Sequence, residues 1–152
     1  CRHVERLRLH TRLPVVLPER VTQGLCALLA GTRLKTVVVI HANHAQELDT
    51  ATRTACARLV ETGATLLNQS VLLRGVNDSV TALAHLSEAL FAAGVLPYYL
   101  HLLDRVQGAA HFDVSEDAAR QLMTGLNARL PGYLVPRLVR ERPGAPGKEL
   151  VV

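Results

Sequence analysis

The 152 residues contain no tryptophan, and phenylalanine and tyrosine bring the aromatic content to only 3%. So few rings cannot supply successive stacking platforms for single-stranded nucleic acid, and nucleic acid is not an expected partner. No apolar stretch reaches the roughly 18–20 residues of a membrane span. No basic-then-apolar signal segment opens the sequence, so the expected setting is cytoplasmic, with no membrane partner. Cysteine is scarce too. Cys1, Cys26 and Cys56 are odd in number and lack CxxC spacing, which argues against a disulfide framework and against a thiolate metal site. There is no GxGxxG and no GxxxxGK[ST]. The terminal GAPGK falls short of the latter because Arg142 stands at its first-glycine position. The rarest feature among the charges is lysine: the seventeen basic residues comprise fifteen arginines and only Lys35 and Lys148. The net charge of +4 is compatible with acidic partners but too small to require one.

What is present is a core. The 49% hydrophobic content, with 20% charged residues, suits one globular domain segment over residues 1–152. Strand-like and helix-like blocks alternate. "ERLRLH" (5–10), "LKTVVVIH" (34–41), "TLLNQSVLL" (65–73), "VLPYYLHLL" (95–103) and "GYLVPRLV" (132–139) read as strands, and the proline of the last suits a sheet edge. Helical spacing places Val21, Leu25, Leu28 and Leu29 on one face of 19–30, and Leu48, Ala51, Ala55 and Leu59 on one face of 46–62. Residues 79–93 start at a Ser79 cap and end at Gly94. Residues 115–130 start at Ser115, with Glu116 and Asp117 in the first turn. Repeated βα units predict an α/β fold with parallel strands and right-handed crossovers. The architecture is either an open doubly wound sheet or a partial βα barrel, since a complete eight-stranded barrel needs about 250 residues.

In such folds the chemistry gathers at the carboxyl ends of the strands. Reading those ends gives His41 and His44, then Asn68, Gln69 and Ser70, then Tyr98, Tyr99, His101 and Asp104, and finally Glu141 and Lys148. Each has two readings. His41 and His44 are a zinc pair lacking an evident third ligand, or loop and capping histidines. Asn68 and Gln69 serve an internal hydrogen-bond network or a ligand. Asp104 caps a turn or binds. Glu141 either pairs on the surface with Arg140 and Arg142 or faces a site. Lys148 is a solvated tail charge, or an amine placed where a permanent cation will not serve.

Five blocks then carry a resemblance: "RLHTRLPVVLPERVT" (8–22), "HANHAQEL" (41–48), "LLNQSVLLRGVND" (66–78), "LPYYLHLLDRVQGAAHF" (96–112) and "PGAPGK" (143–148). In this order and spacing the sequence resembles the lysine 2,3-aminomutase family, most closely its short bacterial form. The resemblance implies a radical S-adenosylmethionine enzyme with pyridoxal 5′-phosphate and a [4Fe–4S] cluster, on a six-stranded partial βα barrel with one extra strand. It implies movement of the α-amino group of L-lysine from C2 to C3 to give β-lysine, with a link to elongation factor P and its lysyl-ligase. Lys148 matches the lysine that forms the Schiff base with pyridoxal phosphate. Asp104 and Glu141 match the carboxylates that hold the substrate's ε-ammonium, Glu141 standing where long forms have aspartate. Gln69 and His41 match positions near S-adenosylmethionine. His101 replaces a family tyrosine, and Ser79 a zinc-binding cysteine, so no zinc is expected there.

The CxxxCxxC cluster motif is not in this sequence, and Cys1 is not part of one. On the resemblance, the 152 residues correspond to the carboxyl-terminal part of a chain about twice as long, without its cluster-binding part. Alone they are expected to be inactive and prone to self-association through an open strand edge. Two other readings stand beside it. One is a metal-dependent βα-barrel hydrolase using His41, His44 and Asp104; the other is a non-catalytic binding module.

Overall fold

A computed structural model of the chain describes residues 3–104, 110–142, 144–145 and 147–151. Cys1, Pro143, Pro146 and the stretch 105–109 of the fourth family block lie outside the described residues.

The chain order is β1 (Arg6–His10), α1 (Leu13–Val16), α2 (Gln23–Gly31), β2 (Lys35–Ile40), α3 (Thr50–Glu61), β3 (Thr65–Val71), α4 (Val80–Ala92), β4 (Val95–His101), α5 (Glu116–Arg129), β5 (Arg137–Arg140) and β6 (Glu149–Leu150). The six strands form one curled, half-barrel sheet in chain order. β1 to β5 are parallel, and β6 returns antiparallel to β5. Consecutive parallel strands that neighbour one another, with a helix in every crossover from β1 to β5, are the partial-barrel alternative; a doubly wound sheet would reverse its strand order.

The helices begin where short polar side chains can take up free N–H groups. Thr22, Asp49, Ser79 and Ser115 each accept from the backbone N–H three residues on. Gly94 closes the α4–β4 turn at φ +76, and a Cβ there would lie 2.9 Å from Val60 Cγ2, so both backbone and space call for glycine.

Even-numbered residues of β2 and β3 turn outward to the helices. Val38, Ile40 and Leu66 join Leu59, Leu86 and Leu90 in one aliphatic cluster. A second cluster under α5 gathers Leu100, Leu126 and Leu138.

Three expectations shift. Residues 132–134 form a 3₁₀ turn, so the last parallel strand starts at Arg137, after Pro136. β5 is not the edge, because β6 covers it. Leu28 is 64% exposed and Ala51 is exposed; α3 instead buries Thr52, Ala55, Cys56 and Leu59, because it starts at Asp49 and its phase follows that cap.

Candidate active site

Because side chains alternate along a strand, residues that follow the outward-facing positions point into the concave face of the sheet. That face carries His10 of β1, His41 after β2, Gln69 of β3, Tyr99 and His101 of β4, and Glu141 after β5. The His10 and His41 rings lie 6.3 Å apart.

β4 adds one irregularity. Its register against β3 skips a residue, with Asn68 opposite Pro97 and Gln69 opposite Tyr99. The bulge leaves Tyr98 extra and lets two consecutive tyrosines stack at 3.9 Å. Arg8 lies 6.0 Å from the Tyr98 ring and Lys148 5.6 Å from the Tyr99 ring.

The tail closes this arrangement. Gly144 adopts φ +82, and β6 pairs back with β5 through Arg140 and Val139. The return brings Lys148 over the strand ends. Its Nζ donates to Glu141 Oε1 and lies 3.3 Å from His101 Nε2. His101 Nδ1 is 3.8 Å from Glu141 Oε1. The arginines flanking Glu141 are engaged elsewhere: Arg140 pairs with Glu116 at the start of α5, and Arg142 with Glu149 at 3.0 Å. Glu141 therefore faces the site instead of joining a surface cluster with its neighbours. Asp104 and Glu141 line one cleft of about 870 Å³ beyond the ends of β4 and β5.

The electrostatics follow the geometry. Burial holds the His101 imidazole below its ordinary value; the Lys148 charge adds to this, while Glu141 and Asp104 oppose it. His41 is lowered by burial and then by His10, Arg12 and Lys148. His10 is lowered by burial and then by Arg8 and Lys148. The hydrogen bond from Lys148 holds the Glu141 carboxyl below the usual range.

β3 separates the two readings of its amides. Asn68 is finished: Oδ1 accepts from Ala42 N, and Nδ2 donates to Ala42 O and Ser70 Oγ. Gln69, 6% exposed, has a buried Nε2 with no hydrogen-bond partner among the described residues. An amide with an orphaned donor on the concave face fits a polar ligand such as S-adenosylmethionine.

The HANH and VND segments contain braces that residue-type reasoning missed. Asn43 Oδ1 accepts from Val71 N, and Asn77 Nδ2 donates to both Asn43 O and Val71 O. His44 Nδ1 caps the next 3₁₀ turn by accepting from Gln46 N at 3.3 Å. Among the described residues no group of three His, Cys, Asp or Glu side chains is placed to hold a metal ion, so His41, His44 and Asp104 are not assembled as the hydrolase reading requires.

The donor set for a [4Fe–4S] cluster does not fit either. Cys56 is fully buried on α3, with its thiol pushed up to about 11 by burial, and Cys26 packs half-buried against the same core. Lys148 does fit an aldehyde cofactor: it is an amine, at the strand ends, held by a carboxylate and an imidazole.

No protein-family model matches the chain. It is similar to the L-lysine 2,3-aminomutase of Escherichia coli K12, 57% identical over 96% of this chain and 43% of that protein. The same-named protein of Haemophilus influenzae is 55% identical over 97% of this chain and 44% of its own length. The one from Clostridium subterminale is 38% identical over 99% and 36%. The chain thus spans less than half the length of these curated relatives. In structure it resembles a radical SAM methyltransferase from Sphaerobacter thermophilus, with a TM-score of 0.58 over 89% of this chain and 40% of that one, at 21% identity. That likeness concerns the fold. By sequence, the chain is similar over nearly its whole length to part of the L-lysine 2,3-aminomutases.

Proposed function

We propose that this chain forms part of a radical S-adenosylmethionine, pyridoxal phosphate-dependent aminomutase that moves the α-amino group of L-lysine from C2 to C3. The product would be β-lysine, serving elongation factor P and its lysyl-ligase. The observation that carries the reading is the return of Lys148 onto Glu141 and His101. A solvated tail lysine would have no reason to reach the strand ends.

In this reading Lys148 Nζ is the attachment point of pyridoxal phosphate, a role arginine cannot fill because it does not release its proton at neutral pH. The bound cofactors supply the radical and carbonyl chemistry. The chain supplies placement. Asp104 and Glu141 pair with the ε-ammonium of the substrate, while Gln69 and His41 hold S-adenosylmethionine against the concave face. The aliphatic floor, with Val39 fully buried, keeps water away from it. This sequence carries no CxxxCxxC motif to ligate the cluster.

The test is pyridoxal phosphate binding to the intact protein, followed by visible absorption and borohydride trapping. The adduct is expected on Lys148 and lost in Lys148→Ala; an undiminished adduct in that variant refutes the assignment. The chain in isolation is expected to be inactive and to self-associate. Only β2 pairs with β1 among the described strands, leaving an edge open. A monodisperse monomer on gel filtration would count against self-association.

A further inference from the structure

We infer that His101 is the proton acceptor for Lys148, and that Glu141 and His101 act on the same ammonium in opposite senses. The inference rests on the reading of Lys148 as the cofactor-binding amine and adds a role for the side chain beside it.

Lys148 has two partners of different kinds. Glu141 is an anion, and an anion in contact with an ammonium favours the protonated form. His101 Nε2 lies 3.3 Å from Nζ and is a neutral acceptor in the tautomer that carries the ring proton on Nδ1. With its own proton on Nδ1, the ring points a free lone pair at Lys148 and turns Nδ1–H towards the carboxylate 3.8 Å away. The ring is held there. It is half-buried, at 14% side-chain exposure, and meets Tyr99 edge-on at 5.9 Å. Burial and the Lys148 charge keep it unprotonated near neutral pH, which an acceptor requires.

With an aldehyde bound, the neutral Nζ would add to the carbonyl carbon as the carbonyl electron pair moves to oxygen; His101 Nε2 would take one Nζ proton and return it to that oxygen, giving a hydroxyl. His101 would then take the remaining Nζ proton and deliver it to the hydroxyl, so that the oxygen leaves as water with both protons as the carbon–nitrogen double bond forms. Glu141 beside Nδ1 stabilises the transient imidazolium.

The arrangement further implies that Glu141 is exchanged. In the substrate-free chain it holds Lys148; an incoming ammonium competes for the same carboxylate and leaves Lys148 to His101.

The experiment measures the rate of borohydride-trapped pyridoxal phosphate attachment at Lys148 in the intact protein, by mass spectrometry, across pH. His101→Phe is expected to slow attachment by about 10²-fold at neutral pH, the lower end for a positioned acid–base group, and to abolish the rate limb that titrates below the ordinary imidazole value of 6.5. His101→Gln retains an acceptor but cannot carry the proton, so it should position Lys148 without restoring the limb. Glu141→Gln should move the profile the other way, towards attachment at lower pH. A merely structural role would not split the variants by sign. Unchanged rate and profile in both His101 variants overturn the inference while leaving the Lys148 assignment intact. Attachment elsewhere than Lys148 in the parent protein overturns that assignment instead. Circular dichroism of each variant separates either result from misfolding.

Discussion

Asn68 and Gln69 are adjacent amides in β3 that face opposite sides of the sheet. On the helix side, Asn68 has both its oxygen and its nitrogen occupied by Ala42 and Ser70. On the concave side, Gln69 is buried, and its Nε2 has no partner among the described residues. The same contrast recurs at the end of β5, where Arg140 turns outward to Glu116 and Glu141 turns inward to Lys148. Asn68 and Arg140 complete their polar contacts within the chain, Asn68 in the buried interior and Arg140 in a partly exposed ion pair. The inner face gathers titratable groups around one lysine and leaves a donor unsatisfied, which is the condition of a surface built to meet something else. Such a buried deficit is uncommon in native folds, and it is the observation behind the proposed ligand contact at Gln69.

The largest effect should come from breaking the finished side. Asn68→Ala removes three buried hydrogen bonds and strands the N–H of Ala42, a loss of about 3 kcal/mol from partners left unpaired. Thermal or urea unfolding of the chain would register it. A loss below about 1 kcal/mol, the net worth of one ordinary hydrogen bond, would mean that the network is not a structural element.

The contrast also marks what could be read from the sequence. Strand and helix order was legible because β-branched runs and capped amphipathic blocks alternate, and each capping residue named in the sequence caps a helix. Asn68 and Gln69 were not separable there, since identical chemistry one residue apart acquires opposite roles only once the face of the strand is known. Had the phase of β2 been carried over to β3, Gln69 would have been assigned to the concave face. The stacking of Tyr98 on Tyr99 was illegible for a different reason: a regular strand would send consecutive rings to opposite faces, and only the bulge aligns them. Lys148 was visible by its rarity, and its partner Glu141 through the family resemblance. His101 stood in the sequence as a departure from the family tyrosine. Its proximity to Lys148 depends on an antiparallel return that two residues of strand do not announce.

A second effect is specific to the inner face and depends on pH. His10, His41 and His101 all titrate below 6.5 in the folded chain, each because of burial first and of nearby positive charge, Lys148 among the sources in every case. Their unfolded counterparts take up protons at the ordinary value. Below about 6.5 the unfolded chain therefore binds more protons than the folded one, and stability is lost as pH falls through that region; above it this contribution is fully present. Unfolding midpoints measured from pH 7.5 down to pH 5 should decline accordingly. Lys148→Met removes a charge common to all three and should flatten the decline. Glu141→Gln, which removes the anion opposing the shift at His101, should steepen it. A decline of equal slope in all three proteins would mean that the histidines do not sense Lys148.

The smallest effect tests the unfinished side directly. Gln69→Met keeps the length of the side chain and removes the orphaned donor. On the helix side such a change would cost stability, but here the buried N–H has no partner to lose. The expected change is between zero and a gain of about 1 kcal/mol, the desolvation no longer incurred. The readout that separates this from an ordinary neutral surface change is binding. In the intact protein, the same variant should weaken S-adenosylmethionine by about tenfold, the worth of one hydrogen bond at roughly 1.4 kcal/mol. Equilibrium dialysis or calorimetry would measure it. A variant that loses stability yet binds S-adenosylmethionine as the parent does would place Gln69 among the structural amides with Asn68, and would remove the distinction between the two faces at this position.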